Sequence, residues 1–250
     1  MKQVFSRPPE LIDIPFHFCP GCHHGLIHRL TAEALNYYGL RKKTIAVSSV
    51  GCSVFLYNYI DVDTVEAPHG RAPAVATGVR RVLPDRFVFT YQGDGDLAAI
   101  GMSEIIHCAN RGENITVIFV NNAIYGMTGG QMAPTTLLGM KTATTPYGRS
   151  FQKDGYPIRM AEFLAPLEGV AFSARVAVDK IANLRRAKKI LFQAFQTQIS
   201  GLGFSFVEFL SACPTNWGLC PAEAARKVEQ EMIPYYPRGI FKEKKAADHL

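Results

Sequence analysis

Two short polar clusters carry the chemistry of this sequence. The first is Gly93-Asp94-Gly95-Asp96, and the second is Asn121-Asn122, with 25 residues between Gly95 and Asn121. Each closes an apolar run. Residues 86–92 and 115–120 are rich in β-branched and aromatic side chains and read as buried strands. Residues 97–111 between them show helical periodicity, with Gly112 as the stop. The spacing predicts a β-α-β unit with both clusters at the carboxyl ends of parallel strands, where open α/β sheets bind ligands. Asp94 and Asn122 each offer a hard oxygen, a pair suited to Mg²⁺ whose remaining ligands are diphosphate oxygens. Gly93 and Gly95 let the backbone approach phosphate, and the helix N-terminus behind them favours negative charge. The competing reading is two ordinary turns, since Asp-Gly and Asn-Asn are common turn dipeptides.

The six cysteines add a second kind of chemistry. No secretory leader pattern opens the chain, so a disulfide framework is not expected. Cys19-Pro-Gly-Cys22 is a tight turn that points both sulfurs the same way. Cys52 lies in Val50-Gly-Cys-Ser53, after an apolar stretch at 44–49, and Cys213 in Ala212-Cys-Pro-Thr-Asn216, after the strand-like 204–210. Spacing alone leaves three readings open: buried free thiols, a structural zinc site, which usually shows two paired motifs, and an iron–sulfur cluster on four thiolates. Cys108 falls inside a predicted helix and is expected to pack. His107 is expected on the surface or in the core, and no role attaches to Cys220. His23 and His24 would serve hydrogen bonding beside the cysteine turn or helix capping. His69 and Arg71 precede a helical segment and could donate to phosphate; a solvated cationic turn is the alternative.

Glycine-aspartate-glycine, 25 residues, then a pair of asparagines resembles the signature of thiamine-diphosphate-dependent enzymes. Joined to the cysteine pattern, the chain resembles the β subunit of 2-oxoacid:ferredoxin oxidoreductases. The matching segments are Phe18-Cys-Pro-Gly-Cys-His-His-Gly25, Val50-Gly-Cys-Ser53, His69-Gly-Arg71, Gly93-Asp-Gly-Asp96, Asn121-Asn-Ala-Ile-Tyr-Gly-Met-Thr-Gly-Gly-Gln131 and Cys213-Pro-Thr-Asn216, in family order. The resemblance implies an α/β thiamine-diphosphate-binding fold, a mostly parallel sheet with helices on both faces. It implies Mg²⁺ held by Asp94, Asn122 and the main-chain carbonyl of Ile124. It implies a 4Fe–4S cluster on Cys19, Cys22, Cys52 and Cys213. By the same resemblance Val50, Gly51, Cys52, Ser53, His69, Gly70, Arg71, Gly93, Gly95, Asp96, Gly126, Met127 and Thr128 line the coenzyme. No catalytic side chain is assigned, because thiamine diphosphate is the reactive group.

The implied activity is coenzyme A-dependent oxidative decarboxylation of a 2-oxoacid to acyl-CoA and CO₂, with electrons passing through the cluster to ferredoxin. Without the cluster, simple decarboxylation would be the natural outcome, and a zinc-binding assembly module is the non-catalytic alternative. Only one copy of the fold is expected here, so an α subunit with the pyrimidine-binding half and a γ subunit are implied, with a ferredoxin-like δ subunit in some complexes. Two departures stand out: His23 where many relatives have Gly, and Gly129 where some have Lys. The second leans the substrate toward 2-oxoisovalerate, with 2-oxoglutarate next. A cluster of this kind and ferredoxin coupling imply a cytoplasmic enzyme.

The elements that must position these residues follow from the patterning. A chain of 250 residues with 48% hydrophobic content is ample for one α/β domain over 1–250, with an N-terminal arm (1–18) and an irregular C-terminal extension (214–250). Helices are predicted at 24–38, 72–82 and 180–199, the last capped by Asp179, with a long functional loop at 126–156 and a loose tail from 242. The net charge of +6 invites a nucleic-acid reading. The one basic cluster, Arg185-Arg-Ala-Lys-Lys189, instead falls on the polar side of an amphipathic helix whose apolar side includes Ile181, Leu184, Leu191, Phe195 and Ile199, so a solvated face is expected. The minor alternative there is docking of an acidic electron carrier. No apolar run reaches about 18 residues, so no membrane span is expected.

Overall fold

Strand-forming runs of β-branched and aromatic residues pair into a sheet of seven strands in the computed structural model, which describes residues 6–245. The outer ends of the expected arm and tail, 1–5 and 246–250, lie outside the described residues. The strands are β1 (Thr44–Ser48), β2 (Asp63–Glu66), β3 (Phe87–Gly93), β4 (Thr116–Asn121), β5 (Val170–Ala177), β6 (Phe204–Leu210) and β7 (Gly239–Glu243). Their order is β2-β1-β3-β4-β6-β5-β7, parallel throughout except that β7 runs antiparallel to β5. The four central strands β1, β3, β4 and β6 are consecutive neighbours, so their carboxyl ends form one rim.

Both faces of the sheet are covered, which is why the central strands read as continuous apolar runs rather than alternating ones. Phe87, Phe89 and Tyr91 of β3 and Ile118 and Val120 of β4 pack on the helices His24–Tyr37 and Ile181–Ile199. Val88, Val117 and Phe119 point the other way, against the helices Ala72–Val82 and Met102–Asn110. Burial of this kind is worth roughly 1.5–3 kcal/mol for each large apolar side chain. A third core lies above the rim, where Ile124, Leu137, Leu210 and Ala212 meet Val228, Met232 and Tyr236.

Several elements differ from expectation. The helix expected at 97–111 is broken: a π-helical turn, Asp96–Ile100, passes through Gly101 into Met102–Asn110. Gly101 packs directly on Gly70, and a Cβ there would stand 2.5 Å from the Gly70 carbonyl oxygen, so close backbone approach replaces a regular turn. Asp179 does not cap its helix; it accepts from Asn183 Nδ2 at 2.6 Å, and Lys180 at the N-cap makes no side-chain cap bond. The extension expected to be irregular is helical at Pro214–Trp217, Pro221–Lys227 and Ile233–Tyr235, and the segment expected to begin a loose tail completes β7. The arm is docked as well. Leu11 is buried and bridges to Ile60, and Phe16 stacks edge-on against Tyr59 with centroids 4.7 Å apart.

Candidate functional site

The carboxyl ends of β1, β3 and β4 open into a cleft. Val50, Gly51, Cys52 and Ser53 follow β1, Gly93 to Asp96 follow β3, and Asn122, Ile124 and residues 125–128 follow β4; His24 and His69 complete the lining. Every residue expected to line a coenzyme is there except Gly70 and Arg71. Gly70 packs on Gly101, and Arg71 pairs with Glu104, so neither faces the cleft. With Arg71 turned away, no lysine or arginine lines the cleft among the described residues. A diphosphate placed there would depend on backbone N–H groups and a metal ion for its neutralisation.

Asp94 is the group suited to hold that ion. Its Oδ1 accepts from the Gly95 N–H at 2.9 Å, and its Oδ2 accepts from Thr135 Oγ1 at 2.7 Å and the Asn122 N–H at 3.2 Å. All three donors are neutral, and no ion pair involves Asp94 among the described residues. Burial therefore dominates and pushes its carboxyl up to about 6, against the smaller opposite pull of those hydrogen bonds. A buried carboxylate that lacks a cationic partner, beside an asparagine side chain, fits a divalent cation. The next turn shapes the rest of the set. Ala123 sits at φ 59, a conformation that costs an L-residue energy, and it is held by its N–H donating to Asn121 Oδ1 at 3.1 Å. Asn121 in turn donates from Nδ2 to Glu208 Oε1 at 2.7 Å.

Asp96 has a different part. Its Oδ1 takes hydrogen bonds from Ser49 Oγ at 2.8 Å, His69 Nδ1 at 2.5 Å and the Gly70 N–H at 2.7 Å, and its Oδ2 takes one from Gln92 Nε2 at 2.6 Å. With four donors it ties the ends of β1 and β3 to the loop that carries His69. The Tyr125 ring lies against Gly95, where an added Cβ would be 2.2 Å from the ring, and its hydroxyl donates to the Gly95 carbonyl at 3.1 Å. The remainder of the long loop is pinned by the buried Arg149, whose guanidinium donates to the carbonyls of Ala133, Pro134, Thr136, Asp154, Gly155 and Tyr156.

Four thiols gather beside the same cleft. The Sγ atoms of Cys213 and Cys52 lie 3.5 and 3.6 Å from where a Cβ on Gly126 would stand. The Cys19–Cys22 turn closes through the Cys22 N–H donating to the Cys19 carbonyl at 2.9 Å, with Gly21 at φ +78. Burial raises the Cys22 thiol to about 12, with Cys213, Cys52 and Cys19 adding to the rise. Burial likewise raises Cys52 to about 11, aided by Cys213, Cys19 and Asp94, and raises Cys213 against the pull of Asn216. Cys22 thus feels the other three thiols, and Cys52 and Cys213 also feel Asp94. Among the described residues no three His, Cys, Asp or Glu side chains converge tightly enough to hold a single metal ion. The donor chemistry, four thiols around a shared space, fits a cluster that interposes iron and sulfide between them.

His24 faces the cleft although its sequence position left its role open. Its Nδ1 meets Tyr91 Oη at 2.7 Å, its ring stacks on Phe18, and burial lowers its pKa to about 3, so it is neutral. His23 also stays neutral, lowered by burial to about 4; its Nδ1 accepts from the Ala212 N–H at 3.1 Å and so fixes the backbone beside Cys213. Tyr125 stands within the segment 121–131 that carries the resemblance, whereas nothing in the local pattern around Thr135 signals its bond to Asp94. Cys108 is buried against Thr77, as expected for a packing thiol, and Cys220 caps the helix Pro221–Lys227 in a capping box with Glu223.

Comparison with known proteins follows the same lines. The family described as thiamine pyrophosphate enzyme, C-terminal TPP binding domain, matches residues 49–209. The chain is 44% identical over 255 residues to the ketoisovalerate oxidoreductase subunit VorA of Methanothermobacter thermautotrophicus, covering 98% of this chain and 54% of that protein. It thus spans about half the length of the VorA relatives it matches. It is 37% identical over 230 residues to the 2-oxoglutarate synthase subunit KorB of Archaeoglobus fulgidus, covering 92% of this chain and 82% of that one. The 2-oxoglutarate:ferredoxin oxidoreductase from Magnetococcus marinus, solved with 2-oxoglutarate, coenzyme A and succinyl-CoA bound, superposes with a TM-score of 0.78 at 26% identity, covering 98% of this chain and 87% of that chain.

Proposed function

The chain belongs to the thiamine pyrophosphate-binding subunits of the 2-oxoacid:ferredoxin oxidoreductase family, and from that premise we propose that it is the coenzyme-binding β subunit of such an enzyme. In this reading Asp94, Asn122 and the Ile124 carbonyl hold Mg²⁺, and Val50 to Ser53, His69, Gly93, Gly95, Asp96 and Gly126 to Thr128 bound the thiamine diphosphate. Cys19, Cys22, Cys52 and Cys213 hold a 4Fe–4S cluster. One observation carries the reading: Cys52 lines the cleft while its sulfur and that of Cys213 both lie against Gly126, which lines the cleft too. A single wall then serves coenzyme and cluster, and such closeness is useful when electrons pass between them.

Thiamine diphosphate supplies the carbanion-stabilising chemistry that cleavage beside a carbonyl requires. Over the whole reaction the bond from the 2-oxo carbon to the carboxylate breaks, CO₂ leaves, and a C–S bond to coenzyme A forms. Two electrons and the thiol proton are released in balance, and the cluster that Cys19, Cys22, Cys52 and Cys213 would hold would supply one-electron acceptance toward ferredoxin. This chain's part is to bind and orient: Asp96 locks the β1 and β3 ends, Tyr125 covers Gly95, and His24 presents a neutral ring. The relatives are named as subunits, which supports partner subunits for this chain, an α subunit with the pyrimidine-binding half and a γ subunit among them. The substrate reading is 2-oxoisovalerate ahead of 2-oxoglutarate. It rests on Gly129, which leaves open space where a cation for a second carboxylate would stand, and on the ketoisovalerate name of the 44%-identical relative. The test is assay of the reconstituted complex with 2-oxoisovalerate, 2-oxoglutarate and pyruvate in the presence of coenzyme A and a viologen. A preference for 2-oxoglutarate would overturn the substrate ranking, and turnover independent of coenzyme A would overturn the oxidative reading.

A further inference from the structure

Asn216 stands three residues past Cys213 on the short helix Pro214–Trp217, and its side-chain amide donates in two directions. Nδ2 reaches the Gly126 carbonyl at 2.7 Å and Cys213 Sγ at 3.3 Å. An amide NH₂ carries two hydrogens, so both acceptors are served at once. The two acceptors belong to different chain segments, Gly126 to the loop after β4 that borders the cleft and Cys213 to the segment after β6. Gly130, at φ +87, folds the loop back over the same side chain, where an added Cβ would stand 3.2 Å from Asn216 Cβ and Oδ1. The contact is thus enclosed on the loop side and joined to the thiol on the other.

We propose that Asn216 is a positioning residue that raises the reduction potential of the cluster held by Cys213 and ties that cluster to the cleft loop. A hydrogen bond donated to a ligating sulfur withdraws electron density from it and stabilises the more negative, reduced state. The same amide holds the Gly126 carbonyl, so the loop bordering the coenzyme and the sulfur carrying the electrons share one anchor. This rests on the reading that the four thiols hold a 4Fe–4S cluster.

The assembled complex, purified anaerobically, separates the two claims. Iron and acid-labile sulfide tell whether the cluster exists; an EPR-monitored redox titration then follows the signal that is missing from a Cys213→Ala complex. Asn216→Leu keeps most of the volume and removes both donors, and Asn216→Asp keeps the shape and adds negative charge. Both are expected to retain iron and sulfide while titrating at a lower potential, with about a tenfold change in the one-electron equilibrium, about 59 mV, for Leu and a larger shift for Asp. Both are also expected to bind thiamine diphosphate more weakly. Either variant titrating at the wild-type potential with its cluster intact would overturn the tuning role. Loss of the cluster from both would overturn it as well, since Asn216 would then be needed for assembly. A wild-type complex without iron and sulfide at this site would instead sink the cluster reading itself.

Discussion

Asp94 shows how much one side chain can be asked to do. It is buried beside the cleft with neutral donors only, and burial raises its carboxyl to about 6 against an ordinary value of 3.8. The folded chain therefore holds this proton more tightly than the unfolded chain does. The sign follows: this group favours the folded state below pH 3.8, loses that contribution as pH rises toward 6, and adds nothing further above it. The total is about 3 kcal/mol, at 1.36 kcal/mol per unit. Chelator-treated wild type and Asp94→Asn should accordingly differ in denaturation free energy by an amount that changes by about 2 kcal/mol between pH 4 and pH 6; parallel profiles would contradict the assignment. Protons also compete with the cation, so Mg²⁺-dependent thiamine diphosphate affinity should weaken below about pH 6. Gly95 gives a second test at this scale. Its φ of −65 suits any residue, so the clash with the Tyr125 ring, 2.2 Å from an added Cβ, is what excludes a side chain. Gly95→Ala should weaken coenzyme binding at least tenfold, about 1.4 kcal/mol, as read by calorimetry. Tyr125→Ala in the same chain should recover part of that loss.

At the scale of elements, the site is a property of four neighbouring strand ends, and the strain at Ala123 is held from behind. Glu208 on β6 accepts from Asn121 and forms an ion pair with Arg175 on β5 at 2.9 Å, with both side chains fully buried. Arg175 also pairs with Glu162 and lies over the Tyr236 ring at 5.2 Å, and Tyr236 donates to the Thr135 carbonyl at 2.6 Å. Thr135 donates to Asp94, so the ion pair braces both halves of the proposed metal site. Glu208→Ala should cost about 3–5 kcal/mol, because it strips one partner from a buried charge. It should also weaken coenzyme binding, and a change in denaturation midpoint without any change in affinity would contradict the bracing role. These same elements mark what the sequence made legible. The strands ending at Gly93 and Asn121 are apolar runs with polar stops, and β6 keeps aromatic and branched residues on either side of Ser205 and Glu208, so their ends could be read directly. β5 could not, because Arg175 interrupts its apolar run and is tolerated only through partners on other elements. β7 is short and ends in charged residues, and the break at Gly101 comes from packing on Gly70. His24, Thr135 and Glu208 likewise acquire their places in the site from tertiary contacts that no local pattern encodes.

For the whole molecule, the cleft is open to solvent, and Val50 and Met127 of its lining are exposed, at 36% and 45%. In the proposed reading a partner subunit covers that opening and supplies the pyrimidine-binding half. Purified alone, the chain should bind iron and sulfide, about four of each, yet show no coenzyme A-dependent viologen reduction with any 2-oxoacid until the partner subunits are added. The most direct test of the shared wall is diffraction at the iron absorption edge from anaerobically grown crystals of the complex with Mg²⁺ and thiamine diphosphate. The predicted map has iron enclosed by the sulfurs of Cys19, Cys22, Cys52 and Cys213, with the coenzyme in the adjoining cleft and its metal about 2.1 Å from oxygens of Asp94, Asn122 and Ile124. A single zinc or no metal among those sulfurs, or a cation bound away from Asp94, would contradict it.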